Sequence, residues 1–73
     1  MYFYKIVEMR NPFLGRTSYG ILVKRTEEGV TKDSALIPGI SCNRDFVQHL
    51  VDRFERNQLS PIHMLDVVMD ALS

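Results

Sequence analysis

Apolar positions fall into two regimes along the chain. Through Tyr2–Arg10 they alternate, with Tyr2, Tyr4, Ile6 and Glu8 on one face and Phe3, Lys5, Val7 and Met9 on the other. Aromatic and β-branched residues dominate, which predicts a strand, but neither face is cleanly polar. Asn11-Pro12 stops it, because proline lacks a ladder donor and restricts the residue before it. The loop that follows carries two large apolar residues, Phe13 and Leu14. A second strand is expected over Ser18–Thr26, with Tyr19, Ile21 and Val23 opposite Gly20, Leu22 and Lys24. Glu27-Glu28-Gly29 predicts a turn in which Gly29 supplies the positive φ of a bulged hairpin. A weaker third strand, Val30 to Ile37, is interrupted by Lys32, Asp33 and Ser34 as an edge strand is, and Pro38-Gly39 closes it with a type II turn signature.

The period then changes. Ser41 and Asn43 are both good helix caps, and Phe46, Val47, Leu50, Val51 and Phe54 form one helical stripe ending near Asn57. Asp52 and Arg56, four apart, add a pair worth only ~0.3 kcal/mol. Leu59-Ser60-Pro61 opens a second helix, with Ser60 as cap and Pro61 at the first position, where its missing donor costs nothing. Leu59 and Met64 are spaced for a hydrophobic staple, and His63 stands where Glu or Gln completes a capping box, a role an imidazole acceptor can fill. Ile62, Leu65, Val68, Met69 and Leu72 are the expected buried stripe. Strands followed by helices predict one α+β domain over 1–73. Its strand half, 1–40, is a three-stranded antiparallel meander. Its helical half, 41–73, is a pair of short helices packed on one sheet face, giving the order β-β-β-α-α.

Composition narrows the function. The chain is 45% apolar and carries nine basic and nine acidic residues, which speaks against a polybasic membrane binder or a nucleic-acid coat. One cysteine permits no internal disulfide, no apolar run reaches the ~18 residues of a membrane helix, and no signal peptide precedes the first strand; the cytoplasm is the expected home. No phosphate loop, paired catalytic acids or dinucleotide fingerprint is present, so neither an enzyme nor a cofactor is expected. Cys42 at a helix start could be an activated thiol, but a buried structural cysteine is the better expectation. His49 is expected on the solvated face of the first helix. His63 with Asp66 is a weak half-site for a metal, and no metal is expected. Asp66 and Asp70 read as a solvated face, or as a docking surface for a basic partner.

The helix–turn–helix order invites a DNA-binding reading that charge opposes. The second helix has no Lys or Arg; residues 41–73 carry three basic and five acidic groups against six and four in residues 1–40. Nucleic-acid contact would fall to the hairpin, through Lys24, Arg25 and Lys32 with Arg16, which lack interleaved aromatics. This is the alternative function.

Two short helices can cover one face of such a sheet, not both. The first strand nevertheless offers large apolar groups on each. A chain this small builds a core worth only roughly 3–5 kcal/mol, and oligomerisation often supplements it. The expected interface is therefore Phe3, Val7 and Met9 with the loop residues Phe13 and Leu14, and the expected partner is a second copy or another protein.

The stretch from Asn57 to Asp70, with Leu59-Ser60-Pro61-Ile62-His63 at its start, resembles the ending of a family of very small bacterial domains of unknown function found mainly in clostridial-type Firmicutes. Tyr19-Gly20-Ile21 and Ile40-Ser41 also match that family's strand and helix start. The resemblance implies the same order of elements, a bacterial cytoplasmic home and importance for His63, with no activity attached. The function expected overall is a non-enzymatic, self-associating accessory or regulatory module.

Overall fold

The computed structural model describes residues 1–72. Three antiparallel strands, β1 (Tyr2–Asn11), β2 (Arg16–Glu27) and β3 (Val30–Ser41), form one sheet in the order β1-β2-β3, followed by α1 (Arg44–Asn57) and α2 (Pro61–Leu72). This is the α+β order the pattern predicts.

β1 and β2 pair without a break from Tyr2↔Arg25 to Asn11↔Arg16. Between β2 and β3 the turn is tighter than expected. Glu28 and Gly29 take φ of 51° and 77°, so both central positions are left-handed, as in a two-residue type I′ hairpin whose twist matches its strands. A bulged hairpin turn is thereby replaced.

β3 also continues past its expected end at Ile37. Ile21 pairs with Ile37 and Tyr19 with Ser41, so Pro38, Gly39 and Ile40 are accommodated as a bulge within the strand. An edge strand tolerates this proline, and Gly39 absorbs the kink at φ 60°. The bulge presses on β2. A Cβ on Gly20 would lie 2.4 Å from the Ile37 carbonyl oxygen and 2.9 Å from Pro38 Cα, so the position admits only glycine without a shift of β3.

The alternation of each strand decides the two faces of the sheet. Tyr4, Ile21, Val23 and Ile40 point to the front, where Val47, Leu50, Val51 and Phe54 of α1 and Met64 and Val68 of α2 complete the core. Tyr2, Ile6, Tyr19, Ala35, Ile37, Phe46, Leu59 and Val67 surround it. Asn43 is the cap of α1: its Oδ1 accepts from the Phe46 N–H at 3.2 Å, and Ser41 Oγ accepts from the Asn43 N–H at 3.0 Å. Both predicted cap candidates are used, in series. Asp52, expected to pair with Arg56, instead accepts from Gln48 Nε2 at 3.0 Å.

α1 ends at Gln58, which takes the left-handed conformation at φ 49°, and Leu59 returns an N–H to the Phe54 carbonyl. At this corner the Tyr4 hydroxyl donates to the Leu59 carbonyl at 2.6 Å while its ring packs on Phe54 at 6.0 Å between centroids. Burial pushes the Tyr4 pKa above 10.0, with the nearby Tyr2 and Glu55 adding to the rise. Ser60 precedes α2, and its carbonyl accepts from the Met64 N–H at 2.9 Å.

The second helix departs from its predicted stripe. Met64 and Val68 face the core, while Ile62, Leu65, Met69 and Leu72 lie exposed. The apolar sector of α2 spans more than half its circumference. The half that meets the sheet is the one containing Met64, which Leu59 and the turn at Gln58 swing inward.

Candidate interaction surfaces

Twelve residues of β2, at ~3.4 Å each, make a ribbon of about 40 Å, whereas fourteen of α1, at ~1.5 Å each, span about 21 Å. The molecule measures 42 × 24 × 18 Å accordingly. The helices thus cover one face over part of its length. The back face and the far end of the β1–β2 hairpin lie beyond their reach.

The back face is built from β1 residues Phe3, Lys5, Val7 and Met9, β2 residues Ser18, Gly20, Leu22 and Lys24, and their β3 neighbours Leu36 and Asp33. Phe3 is 47% exposed and Leu36 51%, and Val7, Met9 and Leu22 are half-buried. Lys5 sits between Phe3 and Val7 and opposite Leu22, Lys24 sits opposite Phe3, and Lys24 Nζ stands 4.0 Å from Asp33. At the hairpin end Phe13 is 96% exposed and Leu14 is exposed too. Asn11 fixes that turn: its Oδ1 accepts from the N–H of Phe13 at 2.9 Å and of Leu14 at 3.2 Å, and its carbonyl from Gly15. The side chain that ends β1 thereby holds the two apolar residues outward.

All five predicted interface residues border open surface, and the structure adds Leu22 and Leu36 to the back face. It also adds Ile62, Leu65, Met69 and Leu72 on α2, which the sequence pattern assigned to the core. Helical periodicity finds an apolar sector; it cannot say how much of that sector a narrow sheet will accept.

The other candidates are scattered. Cys42 is exposed, contrary to the expected buried cysteine, because the turn between β3 and α1 leaves it outside both caps. His49 is exposed on α1 as expected, and His63 is exposed on α2 near Asp66. Among the described residues no group of three His, Cys, Asp or Glu converges as a metal site. On the basic hairpin, Lys24 faces Asp33 and Arg25 pairs with Glu27. Arg25 and Lys32 are cross-strand neighbours, but Glu27 and Glu28 share the shallow depression they line.

No described helix is long and apolar enough to cross a membrane. Neither a curated protein nor a solved structure matches the chain. One family does, over residues 1–73: the chain belongs to DUF6514, a family of unknown function.

Proposed function

We propose that this protein is a non-enzymatic interaction module that self-associates and serves as an accessory or regulatory subunit in a bacterial cytoplasm. The observation that carries this reading is the uncovered back of the sheet. Phe3, Val7, Met9, Leu22 and Leu36 form an apolar strip across the three strands, interrupted by Lys5 and Lys24, while the core residues of both helices lie on the opposite face. Such a strip leaves on the order of a few hundred Å² of apolar surface in water, the size at which a patch marks an interface. The helical half carries a second such stripe on α2, so a partner gains two separate footholds. A free, exposed Cys42 suits a reducing compartment.

Nucleic-acid binding by the basic hairpin has less support, because acidic residues interleave Lys24, Arg25 and Lys32. A low-salt mobility shift with Lys24 and Arg25 neutralised addresses it.

Light scattering on the wild type and on Phe3→Glu and Val7→Glu tests the main reading. Assembly of the wild type and loss of assembly in both variants, with helical circular dichroism retained, is the expected result. Variants that assemble like the wild type would remove the back face from the interface.

A further inference from the structure

β1 is an edge strand, and its hydrogen-bonding parity is visible at its start. The Thr26 N–H donates to the Met1 carbonyl at 2.9 Å and the Met1 amine returns to the Thr26 carbonyl at 3.4 Å. In an antiparallel ladder such exchanges recur at every second residue. Phe3, Lys5, Val7 and Met9 therefore turn their backbone groups inward to β2, and Tyr2, Tyr4, Ile6, Glu8 and Arg10 turn theirs outward. Tyr2 shows the outward parity directly. Its N–H donates to Gln58 Oε1 at 2.9 Å, and its carbonyl accepts from Gln58 Nε2 at 3.2 Å. The Gln58 amide stands in for one residue of a neighbouring strand and closes that end of the edge.

From Ile6 to Arg10 no hydrogen bond from the other described residues closes the edge, and it carries no proline and no register shift. The opposite edge is different. β3 carries Pro38, two irregularities in its pairing and the exposed charges Lys32 and Asp33, all devices that blunt an edge against another strand. β1 carries exposed charges too, Lys5, Glu8 and Arg10, but no proline and no irregularity in its pairing, so its backbone keeps the geometry of a strand that can pair.

We propose that the open edge pairs antiparallel with β1 of a second copy, joining two sheets into one of six strands about a two-fold axis at Met9. This deepens the self-association proposed above and rests on it. Centred at Met9, the register sets Glu8 of each copy against Arg10 of the other, two reciprocal opposite-charge pairs. Centred one residue earlier, it would set Glu8 against Glu8. The same register brings the hairpin tip, with the exposed Phe13 and Leu14, level with Lys5 of the other copy's β1. With nine charges of each sign, no net repulsion opposes the contact.

The test uses the full chain with Cys42→Ser as background. Met9→Cys is oxidised and compared with Ser34→Cys on the guarded edge, and dimer dissociation is measured for Glu8→Arg and for Glu8→Arg with Arg10→Glu. The expected results are a covalent dimer through position 9 and not through 34, a dimer affinity lowered roughly tenfold or more by Glu8→Arg, and recovery in the double swap. Glu8 and Arg10 are exposed, so both variants keep the core, and circular dichroism confirms the fold. A wild-type dimer without the position-9 cross-link and indifferent to the charge swaps would overturn the edge contact while leaving self-association standing. A monomeric wild type would overturn both.

Discussion

Replacing Gly20 by alanine probes how the sheet closes over the β3 bulge. The added Cβ meets two backbone atoms, the Ile37 oxygen at 2.4 Å and Pro38 Cα at 2.9 Å. Neither is the end of a flexible side chain, so relief requires β3 to move by about 1 Å, the gap to an ordinary ~3.5 Å contact. Movement there loosens Ile37 and the buried Ile40, which the bulge turns into the core. Overpacking of this kind costs about 1–3 kcal/mol. Partial exposure of Ile40 raises the total to about 2–4 kcal/mol, since a fully buried side chain of this size is worth about 1.5–3. Alanine's better strand propensity offsets only about 0.5 kcal/mol. Against a domain stability of roughly 4–11 kcal/mol at 0.05–0.15 per residue, that is a large fraction. Unfolding followed by circular dichroism should show it, as a lower midpoint in urea and as a fall in melting temperature of about 13–26 °C on heating. Gly39→Ala is the control. There φ is 60° with nothing within 4 Å, so only left-handed strain of about 1 kcal/mol is expected. A Gly20→Ala variant within about 0.5 kcal/mol of wild type would refute the packing argument.

Further outcomes follow from the same structure. Tyr4→Phe removes the hydroxyl bond to Leu59 and should cost about 1 kcal/mol at neutral pH. Because burial raises the Tyr4 pKa above 10.0, the folded state holds its proton longer than the unfolded chain. Stability is therefore intact below pH 10 and falls as pH rises through the folded pKa, and the phenylalanine variant should lose that dependence in alkaline unfolding titrations. Asn43→Ala deletes the cap of α1 and should cost about 1 kcal/mol by the same assay. Glu28→Asn relieves a left-handed glutamate in the type I′ turn and should raise stability by about 0.5–1 kcal/mol, read as a higher denaturation midpoint.

Local chemistry made much of this fold legible. The strand faces follow from strict alternation, and α1 from a stripe that matches its buried residues and an Asn43 cap that competes with few alternatives. The misread features all depend on contacts distant in sequence. Pro38-Gly39 is a turn signal in isolation. Only the neighbouring Gly20, with room for a displaced carbonyl, lets the same dipeptide become a bulge. Ile62, Leu65, Met69 and Leu72 have the spacing of a buried stripe, and Met64 and Val68 have it equally. Which of the two stripes is buried depends on how α2 meets the sheet and α1, where Met64 and Val68 join the core. Cys42 looked buried on residue type alone, but it sits between two cap residues at a corner. The exposed and half-buried apolar residues Phe3, Val7, Met9, Phe13 and Leu14 are visible in the sequence as surplus: apolar positions with no predicted element to cover them. The open β1 edge needed the sheet order and the hydrogen-bond parity, neither of which the sequence states.

The mass of the wild-type chain at sedimentation equilibrium, across micromolar to submillimolar concentrations, bears most directly on whether a second copy closes the open edge of the sheet. A reversible species of twice the 8.5 kDa chain mass is the expected result, and a single 8.5 kDa species throughout would contradict it.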